Sequence, residues 1–314
     1  MITVRYHIIS IAAVFLALAV GVVLGTSTVS QGLLNAVGGE KEELQAQVDQ
    51  LGAERAQLKA QTESADRFNT TVAPMAVQGQ LSGRSVVLIS AADTDDGQRQ
   101  AMTKLLRDSG ADISGDVRLG QALTDPDRTD QLRGVVTQLL PAGVQLPTAA
   151  DPGTLAGGLL GPLTLVNPQT GQPQAADDAR AAALSGLSGG GFATASEGLR
   201  PAQLAVVLTG GRLEGDNAAD RATALARLAT QIDRSGQGAV LAGTSGSADG
   251  RGAVGVARAD PAMSSNLSTV DNADTGAGRV AVVMAAREQA DRQAGHYGVA
   301  SSAQGPVPGT RGAS

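Results

Sequence analysis

Near the start of the chain, IISIAAVFLALAVGVVL from Ile8 to Leu24 is an uncharged apolar run broken only by Ser10. As a helix rising 1.5 Å per residue it reaches roughly 25 Å, which matches the hydrocarbon thickness of a bilayer once Tyr6 and Gly25 to Thr28 contribute. A cleaved signal peptide is the competing reading, because Ala17-Leu18-Ala19 resembles a small-residue cleavage site. The run continues past that point and exceeds the usual h-region, which favours an uncleaved anchor over residues 8–25. Arg5 precedes the run, and the first Lys or Arg beyond it is Lys41. The positive-inside bias therefore predicts a cytoplasmic N-terminus (residues 1–7) and an extracytoplasmic location for everything after Thr26.

The segment EKEELQAQVDQLGAERAQLKAQTESAD, Glu40 to Asp66, has a different pattern. Val37, Leu44, Leu51, Leu58 and Ala65 recur every seven residues, and Lys41, Val48, Arg55 and Thr62 take the alternate core spacing. One reading is a single amphipathic helix lying on the globular part. The other is a coiled-coil stalk over residues 40–67, with Lys41, Leu44, Val48, Leu51, Arg55 and Leu58 as partner-binding residues. The partner is then either a second copy or another envelope protein. Parallel self-pairing sets Lys41 and Arg55 against their own copies, and a Glu54–Lys59 pair across the flanks recovers little. A helix offering acidic or Gln residues fits better. Gly38 and Gly39 are expected to break the helix and leave a hinge before the strip.

The remainder predicts an α/β fold. SVVLISA from Ser85 and AVVLTGG from Ala205 read as buried strands, each followed by a turn-rich acidic segment and then a helix, Gln98 to Asp108 and Ala218 to Arg234. Each helix ends near a Ser-Gly with a further strand-like stretch beyond it. The expected architecture over residues 68–300 is a doubly wound, three-layer parallel sheet of two similarly patterned halves. Pro141 to Gly191 reads as an irregular connection between the halves that holds one or two helices, notably around Ala175 to Leu187, and the tail 301–314 as disordered.

The chain carries 24 Lys and Arg against 30 Asp and Glu, with no Trp, three Phe and two Tyr, so it lacks both the basic surface and the aromatic platforms of a nucleic-acid binder. Without cysteine it has no disulfides, thiolate metal sites or iron–sulfur clusters. Nothing advertises catalysis. Gly250, Gly252 and Gly255 satisfy G-x-G-x-x-G, but AVGVARA reads as extended where a nucleotide loop requires a helix. Ser245 in GTSGS approaches a nucleophile elbow without the last glycine, and His296 is the only histidine beyond the anchor. Asp93, Asp95, Asp271 and Asp274 follow predicted strands. If those strands end on one sheet edge, the four could converge as an oxygen-rich cation site. The simpler role for such residues is helix capping. Copper chemistry has no visible ligand set, because Met75, Met102, Met263 and Met284 are isolated and His7 borders the anchor.

The N-terminal ISIAAVFLALAVGVVLGT, the Glu/Lys/Gln strip, VVLISAADTDD and the ending STVDNADTGAGRVAVVMAA…GHYG together resemble the MctB family of actinobacterial envelope proteins. The likeness runs from Ile8 to Gly298, and the high Ala, Gly and Arg content suits a GC-rich actinobacterial genome. It implies a role in copper transport, efflux or tolerance, with copper as the only implied metal and an outer-membrane association. A related corynebacterial branch implies instead a partner in daughter-cell separation, acting through its coiled coil on a peptidoglycan hydrolase system.

Overall fold

The computed structural model describes residues 4–141 and 151–309, with side chains set aside at residues 26–40 and 42. The chain forms two compact units, Met1–Ser64 and Ala65–Ser314.

In the first unit the backbone is one helix, part of α1 (Val4–Val77). Val4–Gly25 is long and apolar enough to cross a membrane, and none of it is buried. The predicted break at Gly38 and Gly39 is absent, and the helix passes through both. Glycine costs about 1 kcal/mol in a helix interior, which weakens a helix without forbidding it when good helix formers follow.

The second unit confirms the α/β reading. Among the described residues its seven strands are β1 (Ser85–Ser90), β2 (Asp112–Leu119), β3 (Ala193–Ala195), β4 (Leu204–Thr209), β5 (Ala239–Gly243), β6 (Ser268–Val270) and β7 (His296–Tyr297). They lie in the order β3-β2-β1-β4-β5-β6-β7, all parallel except β3, which runs antiparallel beside β2. β1 and β4 are central and are buried from Val86 and Leu204 onward because both sheet faces are covered. The two similarly patterned units are β1–α2–β2, with α2 at Asp96–Asp108, and β4–α6–β5, with α6 at Ala218–Ser235. Their helices cover opposite faces. Met102, Leu105 and Leu106 of α2 join Leu88 and Val206, whereas Leu225, Leu228 and Ile232 of α6 join Val87 and Val207. The chain reverses its direction of travel across the sheet between β1 and β4, which is the topological switch point.

Three expectations are corrected. After α3 (Thr129–Gln138), the Gly/Pro-rich middle, of which 142–150 lie outside the described residues, holds α4 (Pro152–Thr164) and α5 (Asp177–Gly189), in keeping with the one or two helices expected; what is corrected is its irregular character, because α4 is a core helix buried from Gly153 to Thr164. Gly153, Gly157 and Gly161 recur every four residues and face α6, where a Cβ on Gly153 would lie 2.0 Å from the Ala224 carbonyl and one on Gly161 2.2 Å from Ser235 Oγ. They permit close helix contact rather than marking a loop. AVGVARA is not extended but forms α7 (Ala253–Ala259), and Pro261 opens α8 (Pro261–Ser264) at a first-turn position that needs no N–H. The tail is ordered to residue 309: Gly298 N–H donates to Gly305 O and Gln304 N–H to His296 O, while 310–314 lie outside the described residues. The last helix is α9 (Gly276–Ala290), on the same face as α2.

Candidate functional site

The carboxyl edge of the sheet is where an open α/β fold usually places its site. The four singled-out aspartates do lie beyond strands there, but each is committed to a different contact. Asp95 caps α2, accepting from the N–H groups of Gly97 and Gln98 at 2.8 and 3.2 Å. The carboxylate of Asp93 packs on Gly210 at the switch point, where a Cβ would come within 2.6 Å of it. Asp274 accepts from the backbone N–H and hydroxyl of Ser245, at 3.0 and 2.9 Å, and so joins the β5 and β6 loops. Asp271 is buried and meets Arg258. Among the described residues no three His, Cys, Asp or Glu come together in a way that could hold a metal ion.

The most developed cluster at this edge centres on Arg258 of α7, which the sequence reading passed over. Its side chain is 4% exposed and that of Asp271 1%, with Nη1 donating to Oδ2 at 2.7 Å. Nη2 donates to Tyr297 O at 2.7 Å, and Nη1 also reaches Ser302 Oγ at 3.1 Å. The other Asp271 oxygen accepts from Val299 N–H at 2.8 Å. One buried ion pair therefore ties α7, β6 and the returning tail together. Burial pulls the Arg258 pKa down, and Asp271 opposes that shift by hydrogen bond and charge. Arg258 Nε donates to Thr269 Oγ1 at 2.8 Å, which leaves the threonine hydroxyl to donate to His296 Nδ1 at 3.0 Å. His296 is therefore best read as the neutral imidazole with its proton on Nε2. Its pKa is lowered by burial and then by the Arg258 charge, against a bond to the Ser264 backbone. In the sequence the cluster shows only through Asp271, singled out for a different role, and an arginine in an otherwise apolar AVGVARA.

The other motifs are structural. Ser245 is held by Asp274 and His296 by Thr269, so no nucleophile–base pair forms between them. The amides of the G-x-G-x-x-G stretch serve their own loop, Gly252 N–H to Asp249 O at 2.8 Å and Gly255 N–H to Ser247 O at 2.9 Å. Of the groups weighed for copper, Met102 and Met263 are core side chains, Met75 is largely exposed, and His296 is hydrogen-bonded to Thr269.

Within the second unit, the end of α1 docks on the N-terminus of α9. Asp66 accepts from Gly276 N–H at 2.6 Å, and Arg279 donates to Thr70 Oγ1 at 3.1 Å and to Asp274 O at 2.9 Å. In the first unit the residues expected to face a partner lie open on the helix: Leu44, Val48, Leu51 and Leu58 are 60%, 58%, 64% and 63% exposed, and Lys41 and Arg55 are exposed beside them. Lys59 pairs within the helix to Glu63 at 3.9 Å.

These features define an α/β protein with one N-terminal apolar helix, a sheet bound by structural contacts at its carboxyl edge, and an uncovered heptad strip. The chain belongs to the family described as copper transport outer membrane protein, MctB, whose model matches residues 1–308. It is 37% identical over 308 residues to the copper transporter MctB of Mycobacterium tuberculosis (strain ATCC 25618 / H37Rv), covering 96% of this chain and 98% of that one. The Mycobacterium bovis protein of the same name gives the same figures. That of Mycobacterium leprae (strain TN) is 40% identical over 311 residues, with 96% and 98% covered.

Proposed function

We propose that this chain is a membrane-anchored, non-catalytic component of copper efflux or tolerance in the cell envelope, with the region after Thr26 outside the cytoplasmic membrane. The observation that carries this reading is kinship along nearly the whole chain, apolar helix included, with proteins named copper transporters. In this reading copper is cargo handled with other proteins, because among the described residues no three His, Cys, Asp or Glu side chains are grouped so as to hold a metal ion. A pore built by this chain alone is disfavoured. A transmembrane barrel closes at least eight strands with a lipid-facing surface, whereas these seven strands form an open sheet covered on both faces. The test is a deletion strain grown over a range of copper concentrations. Raised cell copper and lower tolerance, both restored by the full chain, are expected. Unchanged copper content would sink the reading.

A second reading is favoured by the open strip. Leucines at heptad spacing with more than half their surface in water suit a coiled coil, and Lys41 and Arg55 on the same strip suit an acidic or Gln-bearing helix. In that reading the chain is a scaffold that regulates a cell-wall hydrolase system during daughter-cell separation. Chained cells at ordinary copper, rescued by the native chain but not by one with Leu44, Leu51 and Leu58 made polar, would select it.

A further inference from the structure

At the amino edge of the sheet, away from all these contacts, a cavity of about 330 Å³ opens between the end of α6, the start of β5, the turn before β6 and the end of α9. Asp233, Arg234, Ser265, Asn266, Gln289 and Arg292 are among the residues that line it. Asp233 is 8% exposed and is fixed by the Ala239 N–H, which donates to one of its carboxyl oxygens at 2.8 Å. Arg234 reaches across to the Ala262 carbonyl at 3.3 Å. Gln289 donates to Asn266 O and Ser268 Oγ, at 2.7 and 2.9 Å, which holds the wall between α9 and β6.

Arg292 has the least expected backbone. The end of α9 is a Schellman turn, with Gln293 N–H donating to Glu288 O and Arg292 N–H to Gln289 O. Arg292 occupies its left-handed position at φ 56°, the one non-glycine residue with positive φ among the described residues. Glycine is the usual occupant because a Cβ is strained there. The chain instead places an exposed arginine at that position, lining a cavity with a second arginine and a buried carboxyl group.

We propose that this cavity binds a small polyhydroxylated monoanion of sugar-acid size, with its carboxylate on Arg292 and Arg234 and its hydroxyls on Asp233, Asn266 and Ser265. Two arginines against one carboxyl group favour an anion and repel a metal cation, and guanidinium groups match carboxylate geometry. The polar wall favours hydroxyls over an apolar body. The volume lies at the small end of ligand pockets, which suits one ring or a short polyol. Burial pushes the Asp233 pKa up to about 7, against the pull of the Ala239 bond and of Arg234 and Arg292. Near neutrality the group can therefore donate a hydrogen bond to a ligand hydroxyl or accept one from it.

The test is calorimetric titration of the full chain in detergent micelles with D-glucuronate, D-gluconate and D-glucose. Saturable binding of both acids is expected, with glucose at least about tenfold weaker because it lacks the charge-assisted contacts. Arg292→Gly should weaken the acids by at least about tenfold while the melting temperature holds or rises, since glycine suits the left-handed position. A purely structural arginine would show the stability effect without the binding effect. Arg234→Gln should weaken the same ligands independently. Absence of saturable binding by either acid, equal binding of glucose, or undiminished binding in both variants would overturn the assignment.

Discussion

Replacing Asp271 by alanine tests the cluster at the carboxyl edge. The substitution strands the Arg258 guanidinium, whose side chain is 4% exposed, and removes the acceptor at 2.7 Å that balances it. It also strips the Val299 N–H of its partner and loosens the tail that Arg258 grips through Tyr297 O and Ser302. Breaking a buried pair by removing one member typically costs about 3–5 kcal/mol, more than the pair contributes as a unit, because the remaining charge is uncompensated. For a unit the size of Ala65–Ser314, each kcal/mol moves the melting temperature by about 2–4 °C, so the expected fall is about 6–20 °C. The assay is urea unfolding and thermal melting followed by circular dichroism, with hydrogen exchange at Val299 and Ala300 as the local readout. The double variant Arg258→Met with Asp271→Leu should be less destabilised than Asp271→Ala, since it leaves no charge behind. A loss below about 1 kcal/mol for Asp271→Ala, or a double variant as weak as the sum of the single ones, would refute the reasoning.

Asp233 gives a pH prediction. Its folded pKa of about 7 stands above the ordinary 3.8, so the folded state binds the extra proton and stability falls as pH rises through that interval. Asp233→Asn should remove this slope and stabilise the protein above pH 7, by up to on the order of 4 kcal/mol; a slope unchanged in urea unfolding between pH 4 and 8 would contradict it. His296 acts in the opposite direction. Its pKa is lowered, so its contribution is present above the ordinary 6.5 and lost as pH falls below that, and His296→Gln should flatten the acid side of the profile. Gly276→Ala would put a Cβ 2.5 Å from Thr70 N, so a loss of about 1–3 kcal/mol and faster exchange over Asp66–Val77 are expected; native exchange there would show that the end of α1 docks less tightly than its contacts indicate. Exchanging both Lys41 and Arg55 for leucine removes facing like charges from the heptad strip and should turn weak self-association into a stable dimer at micromolar concentration. Sedimentation showing no gain would argue that the strip is not a pairing face.

The strands and helices that carry the sheet were legible because their patterns are local. SVVLIS and LAVVLT are continuous apolar runs that only a doubly covered sheet can bury, and the helices after them end at Ser-Gly as read. The failures share one cause: the meaning of a small residue depends on a distant neighbour. The glycines of α4 resemble loop residues until Ala224 and Ser235 of α6 stand against them. The tail reads as disordered until Arg258 and Asp271, far back in the chain, supply its hydrogen-bond partners.

The site reading failed for a related reason. Strand ends at the carboxyl edge are visible in a sequence, and an open α/β sheet makes that edge the natural place for a ligand. In this fold the space directly beside Asp93 at the switch point is small, while a cavity of about 330 Å³ lined by Gln121, Thr124, Asp125, Asn217 and Arg221 opens next to it. The cavity beside Asp93, Gly120 and Arg221 measures about 10 Å³, too little for more than a water, and the aspartates around the edge are held by α2, Ser245 and Arg258. Carboxylates placed where chemistry is expected are thereby turned to joining loops, helices and tail. A second open polar space of the same size lies at the opposite edge, where Asp233 stands near the end of one helix and Arg292 follows another. Neither belongs to a motif, and neither draws notice until β5 and the end of α9 bring them to one cavity. A fold rule based on strand ends therefore points to the edge whose aspartates hold this protein together, while a buried carboxyl group and a left-handed arginine draw notice to the cavity at the other edge.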